Sequence, residues 1–318
     1  MWSLPTPWRR PHGTRSTPSS GGREGLFDRH FLAQLDHYRL VSRRLTPGAL
    51  RGEHRSKRRG SGIEFADYRP YVDGDSLRFV DWPAYLRFDK LLIRMFQEET
   101  ELPIAVLLDT SASMGFDEAG DGNAQTKFDL ARRLAAALVY VGLSNLDRVN
   151  LVTYSTTTGS ELRGLRGPNE IHRVFRHLEG LTPAGETAHD RALISFLESP
   201  RKRGLLIIIS DFFDATAQSA LQRFGAGFDL MAIRIASALE EEPRLAGRAL
   251  LVDVETGGEA LINASHDTLL DYRDLLSEQH QQFESLCRKR HWSYIKARTD
   301  QPLSDQLRQI FKTGYLLR

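Results

Sequence analysis

The chain predicts an α/β fold with a doubly wound, mostly parallel sheet, preceded by a small β-rich domain. Three observations carry this. Residues 104–108 and 205–209 are apolar runs of strand length without alternation, the pattern of strands buried on both faces. Each run leads to an aspartate, Asp109 and Asp211, and the first is followed by a polar loop. From residue 103 onward strand-like and helix-like segments alternate, an order that lays helices on both faces of a parallel sheet.

Taken in order, residues 1–25 are rich in Pro, Ser, Gly and Arg, lack an apolar period and read as a disordered tail. A helix is expected over about 27–45, with Phe31, Leu35, Tyr38 and Leu45 near one face and Pro47-Gly48 as its stop. The basic, glycine-bearing stretch 51–62 reads as an exposed loop. Strand-like pieces at 63–68, 77–82 and 90–98 follow, divided by turn signals at Asp73-Gly74-Asp75 and Phe88-Asp89. The helix and these pieces form an expected N-terminal region, 26–100, before a main domain over 101–318. In that domain the spacing predicts a strand at 104–109, then a helix at 127–144 opened by a Thr126/Asp129 capping signal. A strand at 149–154, helices at 169–179 and 188–198, and a strand at 205–210 come next. A helix at 216–224, a strand at 228–235, a hairpin at 249–263, a helix at 267–290, a strand at 292–297 and a helix at 303–312 complete it.

Composition narrows the function classes. The 318 residues include one cysteine, Cys287, so neither an internal disulfide nor a cysteine-based zinc site is available. The longest apolar stretch, 134–143, is well short of the roughly 20 residues a membrane-spanning helix needs. No hydrophobic segment follows Arg9-Arg10, so no export signal is expected and the cytoplasm is the expected location. The net charge of +2 hides an asymmetry: residues 1–60 hold 13 Lys/Arg against 4 Asp/Glu. A basic arm of this kind is either a solvated tail or a surface for an anionic partner such as nucleic acid or a membrane. No aromatic residues interleave with the basic run 55–59, so nucleic acid is not the expected partner. Cys287, beside Arg288-Lys289-Arg290, reads as a passive helix residue.

Chemistry concentrates at Asp109-Thr-Ser111-Ala-Ser113, where three oxygen-bearing side chains alternate at the end of a strand. Hard oxygen donors without imidazole or thiolate favour Mg²⁺ over zinc or copper. By themselves these residues also allow a helix cap or a nucleophile. The segment resembles the first loop of the metal-ion-dependent adhesion site of von Willebrand factor A domains. Under that resemblance Thr187, in Gly185-Glu186-Thr187, matches the second loop and Asp211 the third. It implies that Asp109, Ser111, Ser113, Thr187 and Asp211 hold Mg²⁺ or Mn²⁺, with hydroxyls bound directly and aspartates often acting through water. The ion then takes a carboxylate from a target protein, so the resemblance implies protein binding and no catalytic residues. The nearest enzyme alternative is a metal-dependent phosphohydrolase of the haloacid-dehalogenase type, which carries a second Asp two residues after the first. Here that position is Ser111. Neither a Walker A loop nor a Gly-x-Ser-x-Gly elbow occurs in the chain.

Residues 60–82 contain Glu64-Phe65-Ala-Asp67-Tyr68-Arg69-Pro-Tyr71-Val-Asp-Gly74-Asp75-Ser-Leu-Arg78-Phe-Val-Asp81-Trp82. With residues 84–99 this closely resembles the signature of domain-of-unknown-function family 58, DUF58, over about 270 residues. Where family members carry an Ala-Arg pair, this chain has Leu86-Arg87. The resemblance implies a bacterial protein that partners a MoxR-type AAA+ ATPase in assembling or remodelling target proteins. Many members carry N-terminal membrane helices, whereas this chain shows no such segment. Arg69, Asp75, Arg78 and Asp81, with Glu64 and Asp67, alternate in sign. They read either as a structural ion-pair network or as a docking surface for the ATPase.

Overall fold

The computed structural model describes Phe27, Phe31, Ala33 and Leu35, and residues 64–73, 75–97, 103–116, 125–199, 204–213, 216–223 and 228–313. The expected tail, the basic loop and most of the first helix lie outside these residues. The chain divides into two units, residues 51–101 and the remainder.

In the smaller unit β1 (Glu64–Pro70) pairs antiparallel with β2 (Leu92–Gln97). The strand expected at 77–82 is not there. Leu77–Phe79 is a 3-10 turn, Val80 makes a single bridge to Ile93, and Trp82–Phe88 is a helix, α1. The local chemistry explains the difference. Asp81 accepts a hydrogen bond from the Ala84 backbone N–H at 3.1 Å, and Pro83, which has no N–H for a strand ladder, is tolerated in a first helical turn. Asp89, at φ 50°, ends the helix at the expected turn.

The larger unit opens with β3 (Pro103–Asp109), α2 (Lys127–Ser144), β4 (Arg148–Tyr154), β5 (Thr158–Leu165), α3 (Ile171–Glu179) and α4 (His189–Glu198). It continues with β6 (Leu205–Ser210), α5 (Ala217–Arg223), β7 (Asp229–Ala236) and α6 (Ala238–Glu241). It closes with β8 (Gly247–Val252), β9 (Glu259–Ala264), α7 (His266–Lys289), β10 (Ser293–Arg298) and α8 (Leu303–Thr313). Six strands form one sheet in the order β10-β7-β6-β3-β4-β5, parallel throughout except for β5. The chain runs outward from β3 to β5, then returns to β6 and runs outward the other way. Its direction switches between β3 and β6, the place where open α/β sheets leave a crevice at their strand ends.

Alternate residues of β3 show why both faces are covered. Ile104, Val106 and Leu108 join a core with α2, α3 and α8, while Ala105 and Leu107 face a second core built from α4, α5 and α7. Helix α2 is buried almost all round, as expected of a helix wedged against a sheet. Its start is set by the capping box in which Thr126 Oγ1 accepts from Asp129 N–H at 3.0 Å and the Asp129 carboxylate accepts from Thr126 N–H. Phe31 and Leu35 are buried in this same unit and Phe27 stacks on Phe175 at 4.3 Å, so these residues pack with the α/β domain instead of with the β-rich piece. Strand β5 had no sequence expectation: it is polar, contains Gly159 and Gly164, and lies at the sheet edge with half of its residues exposed. The hairpin β8–β9 stands as its own two-stranded ribbon.

Candidate metal centre

The strand ends at the switch point deliver Asp109 and Asp211 from neighbouring parallel strands, β3 and β6. After Asp109 the chain turns through a 3-10 segment, Ala112–Gly115, whose Met114 is buried in the core and pins the loop. Ser111, Ser113, Asp109 and Asp211 are buried polar residues. The loop carrying Thr187 is tied to the first loop by two backbone hydrogen bonds, Ala112 N–H to Gly185 O at 2.9 Å and Ala184 N–H to Thr110 O at 2.8 Å. Gly185 has φ +82°, a conformation that a side chain would strain. A Cβ on Gly115 would come within 2.8 Å of Pro183 Cγ, so the loops approach as closely as glycine permits.

Hydrogen bonding divides the five residues into two kinds. Both oxygens of Asp109 are engaged, Oδ1 by Ser111 N–H at 2.9 Å and Oδ2 by Ser210 Oγ–H at 2.6 Å. Asp211 Oδ2 takes a hydrogen bond from the Lys127 ammonium at 2.6 Å, and Oδ1 one from Phe213 N–H at 3.3 Å. The hydroxyls of Ser111 and Ser113 face each other at 3.0 Å. That separation is an ordinary hydroxyl–hydroxyl hydrogen bond, and it also equals the spacing of about 3.0 Å between adjacent ligands on an octahedral Mg²⁺ with bonds of about 2.1 Å. Hydroxyl and carboxylate oxygens are the donor types that a hard divalent cation takes, so these are the residues that could hold one. Among the described residues there is no cluster of three or more His, Cys, Asp and Glu side chains of the kind that binds a metal by itself.

Several residues without a motif of their own shape this centre. Lys127, fully buried at the start of α2, bridges Asp211 and Glu240 at 2.6 and 2.5 Å. Burial works against its charge, but the two carboxylates outweigh that and hold its pKa above the ordinary lysine value. Burial likewise works against the Asp211 charge, yet Lys127 wins and keeps that carboxyl below its usual range. Glu240 is pushed up by burial and by the nearby Asp211. At Asp109 burial and the charge on Asp211 push the pKa up to about 6, against weaker opposing help from His189, Ser210 and Ser111. Ser210, His189 and Tyr154 continue the network inward, with His189 Nε2 at 3.2 Å from both Ser210 Oγ and Tyr154 OH. The serine donates to the aspartate and all three groups are buried, an arrangement that orients Asp109 and does not prepare a serine nucleophile. The one sequence signal for Lys127 is its position, since a cation in a first helical turn opposes the helix dipole and needs another reason to be there. Glu255, in the turn of the β8–β9 hairpin, accepts from both Thr187 N–H and Thr187 Oγ1–H, at 2.9 and 2.8 Å.

The charged residues of the smaller unit do different work. Arg69 makes a two-pronged pair with Asp75 at 2.6 and 2.7 Å, and Asp75 also accepts from Val72 N–H. Asp81 accepts from Tyr68 OH at 2.6 Å while capping α1. Three of the four candidate docking residues thus hold their own unit together, and Arg78 is exposed. Asp117 and Asp121, which the sequence places in the polar loop after Gly115 as solvated charges or a further metal contact, lie outside the described residues. Cys287 is buried and its thiol is pushed up to about 12 by burial, which makes it a passive core residue.

The profile of the family described as "Protein of unknown function DUF58" matches residues 67–282. An uncharacterized protein of Mycobacterium tuberculosis strain H37Rv is 27% identical over 244 residues, covering 76% of each chain, and an uncharacterized protein of Mycobacterium bovis matches equally. Among solved structures, the conserved hypothetical protein BatB of Bacteroides thetaiotaomicron aligns at 15% identity and a TM-score of 0.37, over 66% of this chain and 99% of that one. An aerotolerance-related membrane protein of Bacteroides fragilis aligns at 15% identity and a TM-score of 0.38, over 67% and 98%. No helix among the described residues is long and apolar enough to cross a membrane.

Proposed function

Because the chain belongs to DUF58, a family whose function is unknown, we propose from its site that it is a non-catalytic, Mg²⁺-dependent protein-binding adaptor, working with a MoxR-type AAA+ ATPase. The observation that carries this reading is the division of labour at the switch point. The oxygens of Asp109 and Asp211 are already engaged by protein donors, and in this reading the hydroxyls of Ser111, Ser113 and Thr187 are the groups left to bind the ion directly. Of the two aspartates, Asp211 is offset by the Lys127 ammonium, whereas Asp109 is hydrogen-bonded by an amide and a hydroxyl. A dication bound there keeps most of its charge and an appetite for one more anion, which a carboxylate of a target protein supplies. The same reading gives the fold its finer description, a von Willebrand factor A-like domain, and a cytoplasmic location. On the smaller unit Leu86, Phe88 and Trp82 are exposed, and exposed apolar surface of this kind supports a role in protein contact.

The test is capture of the ATPase and of target protein from solution by the full chain. Capture is expected in Mg²⁺, lost in chelator, and lost in Asp109→Ala with unchanged circular dichroism. Equal capture by both variants with and without Mg²⁺ would sink the adaptor reading. Turnover of a phosphate ester that Asp109→Ala removes would replace it with a phosphohydrolase.

A further inference from the structure

Four of the five candidate metal residues are buried; Thr187 is the one partly open to solvent, so it marks the mouth of the centre. That mouth is already taken. Glu255 sets one carboxylate oxygen on the Thr187 backbone N–H and the other on its hydroxyl. The turn that presents Glu255 is built for the purpose. Asp253 Oδ1 accepts from Glu255 N–H at 2.9 Å, Asp253 Oδ2 accepts from Thr256 Oγ1–H at 2.6 Å, and Gly257 at φ +73° closes the loop. By contrast, the hairpin behind it is lightly held. Among the described residues it pairs with no other strand, and Leu250 and Leu261 on it are largely exposed while Leu251 and Ala264 are buried; a two-stranded ribbon is marginal by itself.

We propose that Glu255 is the centre's own resident acidic ligand: the β8–β9 hairpin occupies the place at Thr187 that a partner's carboxylate takes, so the protein folds self-occupied and a partner binds by displacing the hairpin. This rests on the metal-adaptor reading above. The chemistry of the occupant and of the competitor is the same, an Asp or Glu side chain, which is why one displaces the other. It also explains why the turn of a ribbon that pairs with no other described strand spends an acidic side chain on one threonine. The closed form guards a half-satisfied dication from adventitious acids, and the binding energy of a true partner opens it.

Mn²⁺ and acetate, as the simplest metal and carboxylate, test this with the full chain. Mn²⁺ binding is followed by calorimetry and by water-proton relaxation, then acetate is titrated against the Mn²⁺-loaded protein. In Glu255→Gln acetate is expected to displace inner-sphere water at concentrations about tenfold lower than in wild type, and Mn²⁺ itself to bind about tenfold more weakly. Hydrogen exchange supplies a second readout: in wild type, Mn²⁺ with saturating acetate is expected to strip protection from amides in residues 247–264. Identical acetate responses in both proteins, with the hairpin amides unchanged, overturn the inference while leaving the metal site standing. Failure of both proteins to bind Mn²⁺, or equal Mn²⁺ binding by Asp109→Ala, overturns the metal reading and this inference together.

Discussion

Asp109 and Asp211 end adjacent parallel strands, are equally buried, and are treated oppositely by the protein. Asp211 is given a full positive charge by Lys127, which in turn is held by Glu240. Asp109 takes its hydrogen bonds from an amide and a hydroxyl, with His189 as a favourable charge beside it, and its pKa rises to about 6. The difference teaches what each is for. An aspartate already matched by an internal cation is part of the frame, and its removal exposes a buried lysine. An aspartate with no lysine or arginine paired to it among the described residues has its charge less fully compensated, and a buried carboxylate in that state favours a cation beside it.

The largest expected effect tests the framed half. Lys127→Met leaves Asp211 and Glu240 together without compensation and is expected to cost about 3–5 kcal/mol in urea unfolding. A loss below about 1 kcal/mol would mean that the two aspartates are not treated differently after all. Next comes the joint between the loops. Gly185→Ala forces a side chain into a left-handed backbone and is expected to cost about 1–2 kcal/mol. Because Gly185 O holds Ala112 N–H, the same change should weaken Mn²⁺ binding measured by calorimetry. The smallest effect sharpens the other half. In chelator, Asp109→Asn keeps similar hydrogen-bonding groups without the charge and should change stability by less than about 1 kcal/mol near pH 5. Its folded-state pKa lies above the unfolded value of 3.8, so the proton stabilises the fold at low pH and that stability is lost as pH rises through about 6. Thermal unfolding of metal-free wild type should therefore weaken over this window, and Asp109→Asn should remove that slope.

Much of the fold was legible because buried parallel strands have an unmistakable composition. β3 and β6 are apolar runs, and their helices carry caps at Thr126 and apolar faces such as Ile171, Val174 and Phe175. Legibility failed where burial is partial. Strand β5 is an exposed polar edge, and its strand conformation comes from pairing with β4 instead of from its own residues. Residues 77–82 look strand-like in composition, but Asp81 and Pro83 make a helix start that outcompetes a strand. At the site, Asp109, Ser111, Ser113 and Asp211 announce themselves because polar residues at the end of an apolar strand have few other reasons to be there. Lys127, Glu240, Ser210, His189 and Glu255 do not, since each meets its partner across a large separation along the chain.

The sequence by itself determined the sheet, its two buried faces and the strand ends where oxygen donors gather, since burial on both sides admits only apolar side chains and concentrates polar ones at the exits. Only the tertiary structure decided which of those donors is already neutralised, by Lys127, and which is capped, by Glu255. Charge compensation depends on distances of a few ångströms between residues remote in the chain, and no local pattern encodes them.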